Sequence, residues 1–121
     1  MKFEISQRFY FDAAHTLQRE IEAEGSRRIH GHTYEAEISL KGTPDTQNGM
    51  IEDLGKLKIA ISRTRDELDH RFLDEVQDLG IPTLENLCIF VLKSLRKQGY
   101  QPSKVAIWRN ASGDRCTLTL D

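Results

Sequence analysis

The chain has 121 residues, with 17 Lys and Arg against 19 Asp and Glu, four His, two Cys and one Trp. That length suits a single domain spanning residues 1–121 with one core, and excludes a multidomain reading. A net charge of −2 without any run of five or six like charges gives no electrostatic footprint for nucleic acid or anionic lipid.

No stretch approaches 18 apolar residues, and the opening MKFEISQRFYFD alternates where a signal peptide would carry an apolar block. The expectation is a cytoplasmic protein without a membrane span. Cys88 and Cys116 lie far apart and form no CxxC pair, as suits a reducing compartment.

Phe3, Ile5, Phe9, Phe11 and Ala13 share one parity and Glu4, Ser6, Arg8, Tyr10 and Asp12 the other, which predicts a strand with one buried face. The stretch from Leu17 to Arg28 is polar and aperiodic, and reads as a long loop of the kind that carries function. A second strand follows, with Tyr34, Ala36, Ile38 and Leu40 inward, ending in the turn-rich run Gly42 to Gly49.

The period then becomes helical. Leu54, Leu57, Ile61 and Leu68 with Asp53 as N-cap predict a helix over about 53–67. Leu84, Leu87, Cys88, Val91, Leu92 and Leu95 define a second, started by Pro82-Thr83 and stopped by Gly99. Alternation returns at Val105 and Ile107, and again at Cys116, Leu118 and Leu120, around a turn at Ser112-Gly113-Asp114. The ββααββ order predicts an α+β fold: a four-stranded antiparallel sheet with two helices packed on one face. Its exposed edges favour association.

His30-Gly31-His32 is the strongest local chemical signal. At i and i+2 of an extended segment both imidazoles point the same way and can converge on one ion. Alone, the pair would read as loop histidines bonded to backbone. His15, at the end of the neighbouring predicted strand, supplies a third ligand, and three His with an open position is a catalytic zinc arrangement. The fourth histidine follows an acid in Asp69-His70. A carboxylate there can fix the tautomer and raise the basicity of a general acid or base. The blander alternative is a helix cap and a helix-dipole partner.

Taken in order, Phe11-Asp-Ala-Ala-His15-Thr-Leu17, His30-Gly31-His32, Ile51-Glu-Asp53-Leu54 with Leu57-Lys58, Leu68-Asp69-His70 and Pro82-Thr83-Leu-Glu85-Asn86-Leu87 resemble the 6-pyruvoyl-tetrahydropterin synthase family, 6-carboxytetrahydropterin synthases included. The resemblance implies a tunnelling fold, or T-fold, assembled into homotrimers and hexamers with active sites between subunits. It implies Zn2+ on His15, His30 and His32, and a lyase acting on 7,8-dihydroneopterin triphosphate or a related pterin. Catalytic Ser26, Asp69 and His70 and substrate contacts from Thr83, Glu85 and Arg109 follow from the same alignment of motifs. Thr83 with Asn86 also reads as a helix cap.

The chain departs from the family pattern twice. Ser26 stands where relatives carry a catalytic Cys, and an alcohol is a far weaker acid than a thiol. Asp69 and His70 would assist it, Glu24 would replace it as base, or Ser26 is merely a turn residue. Arg109 stands where relatives carry a pterin-anchoring Glu. With donors only, it suits a carboxylate, phosphate or carbonyl oxygen, or a strand salt bridge, and leaves the ring to Glu85 or a backbone carbonyl. Trp108 beside it reads as packing or interface. The departures leave two alternatives to synthase chemistry: side-chain cleavage of dihydroneopterin to 6-hydroxymethyldihydropterin, and a non-catalytic zinc- and pterin-binding paralogue.

Overall fold

A computed structural model describes residues 1–21 and 23–120. Glu22, counted above in the polar loop, lies outside the described residues, as does Asp121. The alternating segments form β1 (Phe3–His15) and β2 (His30–Gly42), paired antiparallel along their full length from Phe3 opposite Gly42 to His15 opposite His30. Phe11, Ala13 and His15 on β1 and Tyr34, Ala36, Ile38 and Leu40 on β2 are buried, so the sequence parity is the structural one. The hairpin β4 (Lys104–Arg109) and β5 (Asp114–Thr119) extends the sheet beyond β2, with Gly113 at φ +76° making the turn.

Part of the expected loop between β1 and β2 is helical. The loop holds a short helix, α1 (Ala23–Arg27), and is pinched at its base by the Leu17 N–H donating to the Ser26 carbonyl at 2.6 Å. The sheet also has a strand that periodicity did not suggest. β3 (Arg71–Phe72) runs parallel to β1 at Ala13 and Ala14, giving five strands in the order β3-β1-β2-β4-β5 and a mixed sheet in place of four antiparallel strands. Two residues are too few to show a period. A 3₁₀ turn, Leu73–Glu75, continues from β3.

The two long helices are α2 (Leu54–Asp66) and α3 (Leu84–Lys97). Asp53 caps α2 through Oδ1, which accepts from Gly55 N–H at 2.8 Å, and Thr83 Oγ1 caps α3 by accepting from Asn86 N–H at 3.2 Å. Leu57 and Ile61 of α2 and Leu87, Cys88, Val91, Leu92 and Leu95 of α3 are buried, together with Phe11, Tyr34, Ile38, Val105 and Ile107 of the sheet. Leu54, expected on that apolar stripe, is exposed as the first residue of its helix. Both cysteines are free thiols. Cys88 Sγ contacts the Cys116 carbonyl at 3.7 Å, and burial, with Cys116 adjacent, pushes the Cys88 thiol up to about 12.

Candidate functional site

The end of the β1–β2 ladder gathers three histidines. His15 and His30 are direct cross-strand partners, and His32 lies opposite Ala13, two residues along on the same face. Their ring centroids stand 4.6 to 4.9 Å apart, and one ligand nitrogen from each lies within 4.8 Å of the others. The Nε2 atoms of His15 and His32 are 3.0 Å apart. Two nitrogens sharing a tetrahedral zinc at 2.0–2.1 Å would be roughly 3.3 Å apart.

Backbone carbonyls orient two of the rings. His15 Nδ1 is 3.1 Å from the Pro82 carbonyl and His30 Nδ1 is 2.8 Å from that of Arg28. A carbonyl only accepts, so each Nδ1 carries a proton, and Nε2 is the nitrogen through which the neutral ring would bind a metal. That is how outer partners prepare histidine for a metal. Thr16, just after His15, donates to Asp74 through both its N–H, at 2.9 Å, and its hydroxyl, tying the end of β1 to the 3₁₀ turn.

Burial also favours the neutral rings. It drives the His32 pKa down to about 4, helped by Arg109, His15 and His30. Burial likewise holds His15 below the ordinary imidazole range, with His30 and Arg109 adding to it against the Pro82 carbonyl. At neutral pH both rings are lone-pair donors without a proton to displace. The donor set, the tautomers and the spacing fit a divalent ion.

The histidines open into a cavity of about 460 Å³, a size suited to a small heterocyclic ligand. Its wall includes Arg19, Ser26, Arg109, Ser112 and Asp114. Ser26 is buried, and its Oγ accepts from the Arg19 N–H at 3.3 Å. Arg109 Nη1 faces His32 Nε2 at 3.4 Å while Nη2 donates to Asp114 Oδ2 at 2.7 Å, so the strand salt bridge and the cavity position belong to the same side chain. Trp108, next to it, lies under the guanidiniums of Arg115 and Arg8, at 4.3 and 5.5 Å from its ring centre.

Other sequence candidates lie elsewhere. Glu24 is exposed, paired with Arg28 at 3.3 Å, and does not line the cavity. Asp69 accepts from the Asp12 N–H at 2.9 Å, His70 Nδ1 at 2.9 Å and Arg65 Nη2 at 3.3 Å. His70 adopts φ +58°, unusual for a residue with a side chain, and its imidazole is 79% exposed. It shares a shallow depression with His32, Thr33 and Phe72, separate from the wall that holds Ser26. Thr83 serves as the α3 cap, and Glu85 is exposed in the first turn of α3.

Sequence reasoning passed over Arg19, Ser112, Asp114 and the Pro82 and Arg28 carbonyls. Asp114 was within reach, because the hairpin turn makes it the cross-strand partner of Arg109. The Pro82 contact carried no local signal, since His15 and Pro82 meet only through the fold.

A sheet backed by two helices, with three imidazoles converging at one end of its central hairpin, defines an α+β protein with a histidine centre able to hold a divalent ion. Residues 4–119 match the family described as 6-pyruvoyl tetrahydropterin synthase. The chain belongs to that family and has its T-fold. It is 35% identical over 97 residues to a protein of Pyrococcus furiosus named dihydroneopterin monophosphate aldolase, covering 80% of this chain and 78% of the relative. It is 30% identical over 101 residues to the 6-carboxy-5,6,7,8-tetrahydropterin synthase of Synechocystis, covering 78% and 76%. The solved structure of Caenorhabditis elegans 6-pyruvoyl tetrahydropterin synthase superposes with a TM-score of 0.84 at 26% identity, covering 100% of this chain and 97% of the other. Among the described residues no helix is long and apolar enough to cross a membrane.

Proposed function

We propose that this protein is a zinc-dependent lyase of the 6-pyruvoyl- or 6-carboxytetrahydropterin synthase type, acting on 7,8-dihydroneopterin triphosphate or a related pterin. The observation that carries the reading is the convergence of His15, His30 and His32, two of them with protonated Nδ1 atoms, on one cavity that also contains Ser26. Zinc bound by the three imidazoles would act as a Lewis acid on a hydroxyl or carbonyl oxygen of the substrate side chain.

The chain's own residues supply the rest. The Ser26 hydroxyl, in the cavity wall, exchanges a proton with the substrate side chain. The Asp69-His70 pair provides a general acid and base, with the carboxylate fixing the imidazole through Nδ1 at 2.9 Å and leaving Nε2 to react. Exposure of His70, outside the Ser26 wall, suits a site completed by a second copy of the chain. Two free edges support such an assembly: among the described residues β1 pairs with β3 only at Ala13 and Ala14, and β5 has one neighbour. A homotrimer or hexamer is the assembly proposed. In it Glu85 would accept the ring N–H donors, with Thr83 and Arg109 as further substrate contacts.

A second reading, aldol-type cleavage of the dihydroneopterin side chain to 6-hydroxymethyldihydropterin, is favoured by the 35% identity to the protein named as an aldolase. Glu24 is poorly placed as its base, being paired with Arg28 outside the cavity. Zinc-loaded protein incubated with dihydroneopterin triphosphate or monophosphate, with products read by mass spectrometry, separates the two. A 6-carboxy- or 6-pyruvoyl-tetrahydropterin product supports the synthase, and 6-hydroxymethyldihydropterin the aldolase. Saturable pterin binding without conversion at full zinc occupancy would overturn both in favour of a binding paralogue.

A further inference from the structure

Arg109 closes β4 with a side chain only 18% exposed, and its three nitrogens have unequal surroundings. Nη2 donates to Asp114 Oδ2 at 2.7 Å. Nη1 faces a neutral imidazole nitrogen, His32 Nε2, at 3.4 Å, beyond a good hydrogen bond. Nε is buried and, among the described residues, has no acceptor in hydrogen-bond geometry. The hydroxyl of Tyr34, buried beside the guanidinium, offers it only a neutral oxygen outside good hydrogen-bond geometry. A guanidinium is a donor at every nitrogen, so this one is under-supplied with acceptor oxygens.

Charge in the cavity points the same way. Two guanidiniums, Arg19 and Arg109, face one carboxylate, Asp114. The three imidazoles carry no negative charge, so among the described residues Asp114 is the carboxylate of the wall that would meet the two positive charges of a divalent ion held by them. A metal that takes the His32 lone pair also removes that nitrogen as an acceptor for Arg109 Nη1.

We propose that Arg109 is a specificity-determining residue that binds an oxyanion. The ligand of this cavity carries a carboxylate or phosphate group that Arg109 grips beside the metal-binding histidines, and Asp114 holds that position while ligand is absent. Asp114 is well suited to such a stand-in. Its carboxylate is half exposed, is held by Arg109 and by Ser112 Oγ at 2.9 Å, and can turn to water by side-chain rotation alone. An ion pair whose carboxylate is half in water is screened on that side and is more easily displaced than one buried at both ends. The inference rests on the pterin reading only for the ring of the probe.

Calorimetric titration of the zinc-loaded protein with 6-carboxypterin, 6-methylpterin and inorganic phosphate tests it. The carboxylated ring should bind about tenfold tighter than the methylated one, or phosphate should bind saturably, according to which oxyanion the cavity takes. Arg109→Gln should abolish that oxyanion binding and leave 6-methylpterin within about twofold, whereas Asp114→Asn, by removing the competing carboxylate, should tighten it severalfold. These opposite signs separate an oxyanion station from a structural ion pair. Weakening of similar size in both variants overturns the proposal, as does oxyanion binding that survives Arg109→Gln in a protein with normal zinc content and melting temperature. Absence of oxyanion binding in the parent protein overturns it too. If neither pterin binds but phosphate does, with the same dependence on Arg109 and Asp114, the pterin reading fails and the oxyanion station stands.

Discussion

His15 Nδ1 lies 3.1 Å from the carbonyl oxygen of Pro82, a residue 67 positions away and just ahead of the α3 cap. One end of the central hairpin is thereby aligned by the start of a helix packed against the sheet. The contact fixes the tautomer of a fully buried ring, and any change that moves the Pro82 carbonyl acts on the histidine cluster.

The first consequence concerns metal. Elemental analysis of the protein should give about one zinc per chain, and His30→Ala or His32→Ala should reduce it to background. Zinc should raise the melting temperature of the parent chain, as any ligand of the folded state does, and leave that of the variants unchanged. Full stoichiometry in both variants would remove the assignment of the three histidines.

Thr83→Ala tests the link through Pro82. Loss of the cap should cost about 1 kcal/mol, seen as a lower melting temperature, and Thr83→Ser should restore it. Zinc affinity should fall in the alanine variant and recover in the serine variant, because the capped turn holds the Pro82 carbonyl against His15. A substrate contact at Thr83 with no structural role would instead leave melting and zinc affinity alone and raise KM.

Much of this was legible in the residues. The alternating parities of β1 and β2, the 3.6-residue period of α3 and the HxH spacing each report one local rule, and the structure obeys them over Phe3–His15, Leu84–Lys97 and His30–His32. β3 escaped because two residues carry no period, and α1 because Ala23–Arg27 contains a glycine and no apolar stripe. The position of Asp69-His70 relative to Ser26 escaped for a different reason. Adjacency in sequence says nothing about which depression a side chain borders, and here His70 and Ser26 border different ones.

Asp69 predicts a pH dependence of stability. Burial alone would raise its pKa, but the Asp12 N–H, His70 and Arg65 together hold it below the usual carboxylate range. A carboxylate whose folded pKa lies below its unfolded value, about 3.9, stabilises the fold above that pH and loses the contribution as pH falls through the folded pKa. Urea unfolding of Asp69→Asn should therefore show a deficit of about 1–2 kcal/mol at pH 7 that narrows below pH about 4. A deficit independent of pH would mean that the lost hydrogen-bond geometry, and not the charge, is responsible.

Ser26 carries the last prediction. Its hydroxyl faces the histidine cavity from a buried position, held between the Arg19 N–H on its oxygen and the Leu17 N–H on its carbonyl. A thiol of similar size at this point has a reference pKa near 8.5 and is partly ionised at neutral pH, which an alcohol is not. Ser26→Cys should raise kcat on the substrate found by product analysis, with the gain growing as pH rises toward 8.5. Ser26→Ala should lower kcat by about 10²-fold, the scale of one acid-base group, without loss of zinc. Serine and alanine enzymes that turn over equally would make Ser26 a structural residue of the α1 turn and leave the proton transfers to Asp69 and His70.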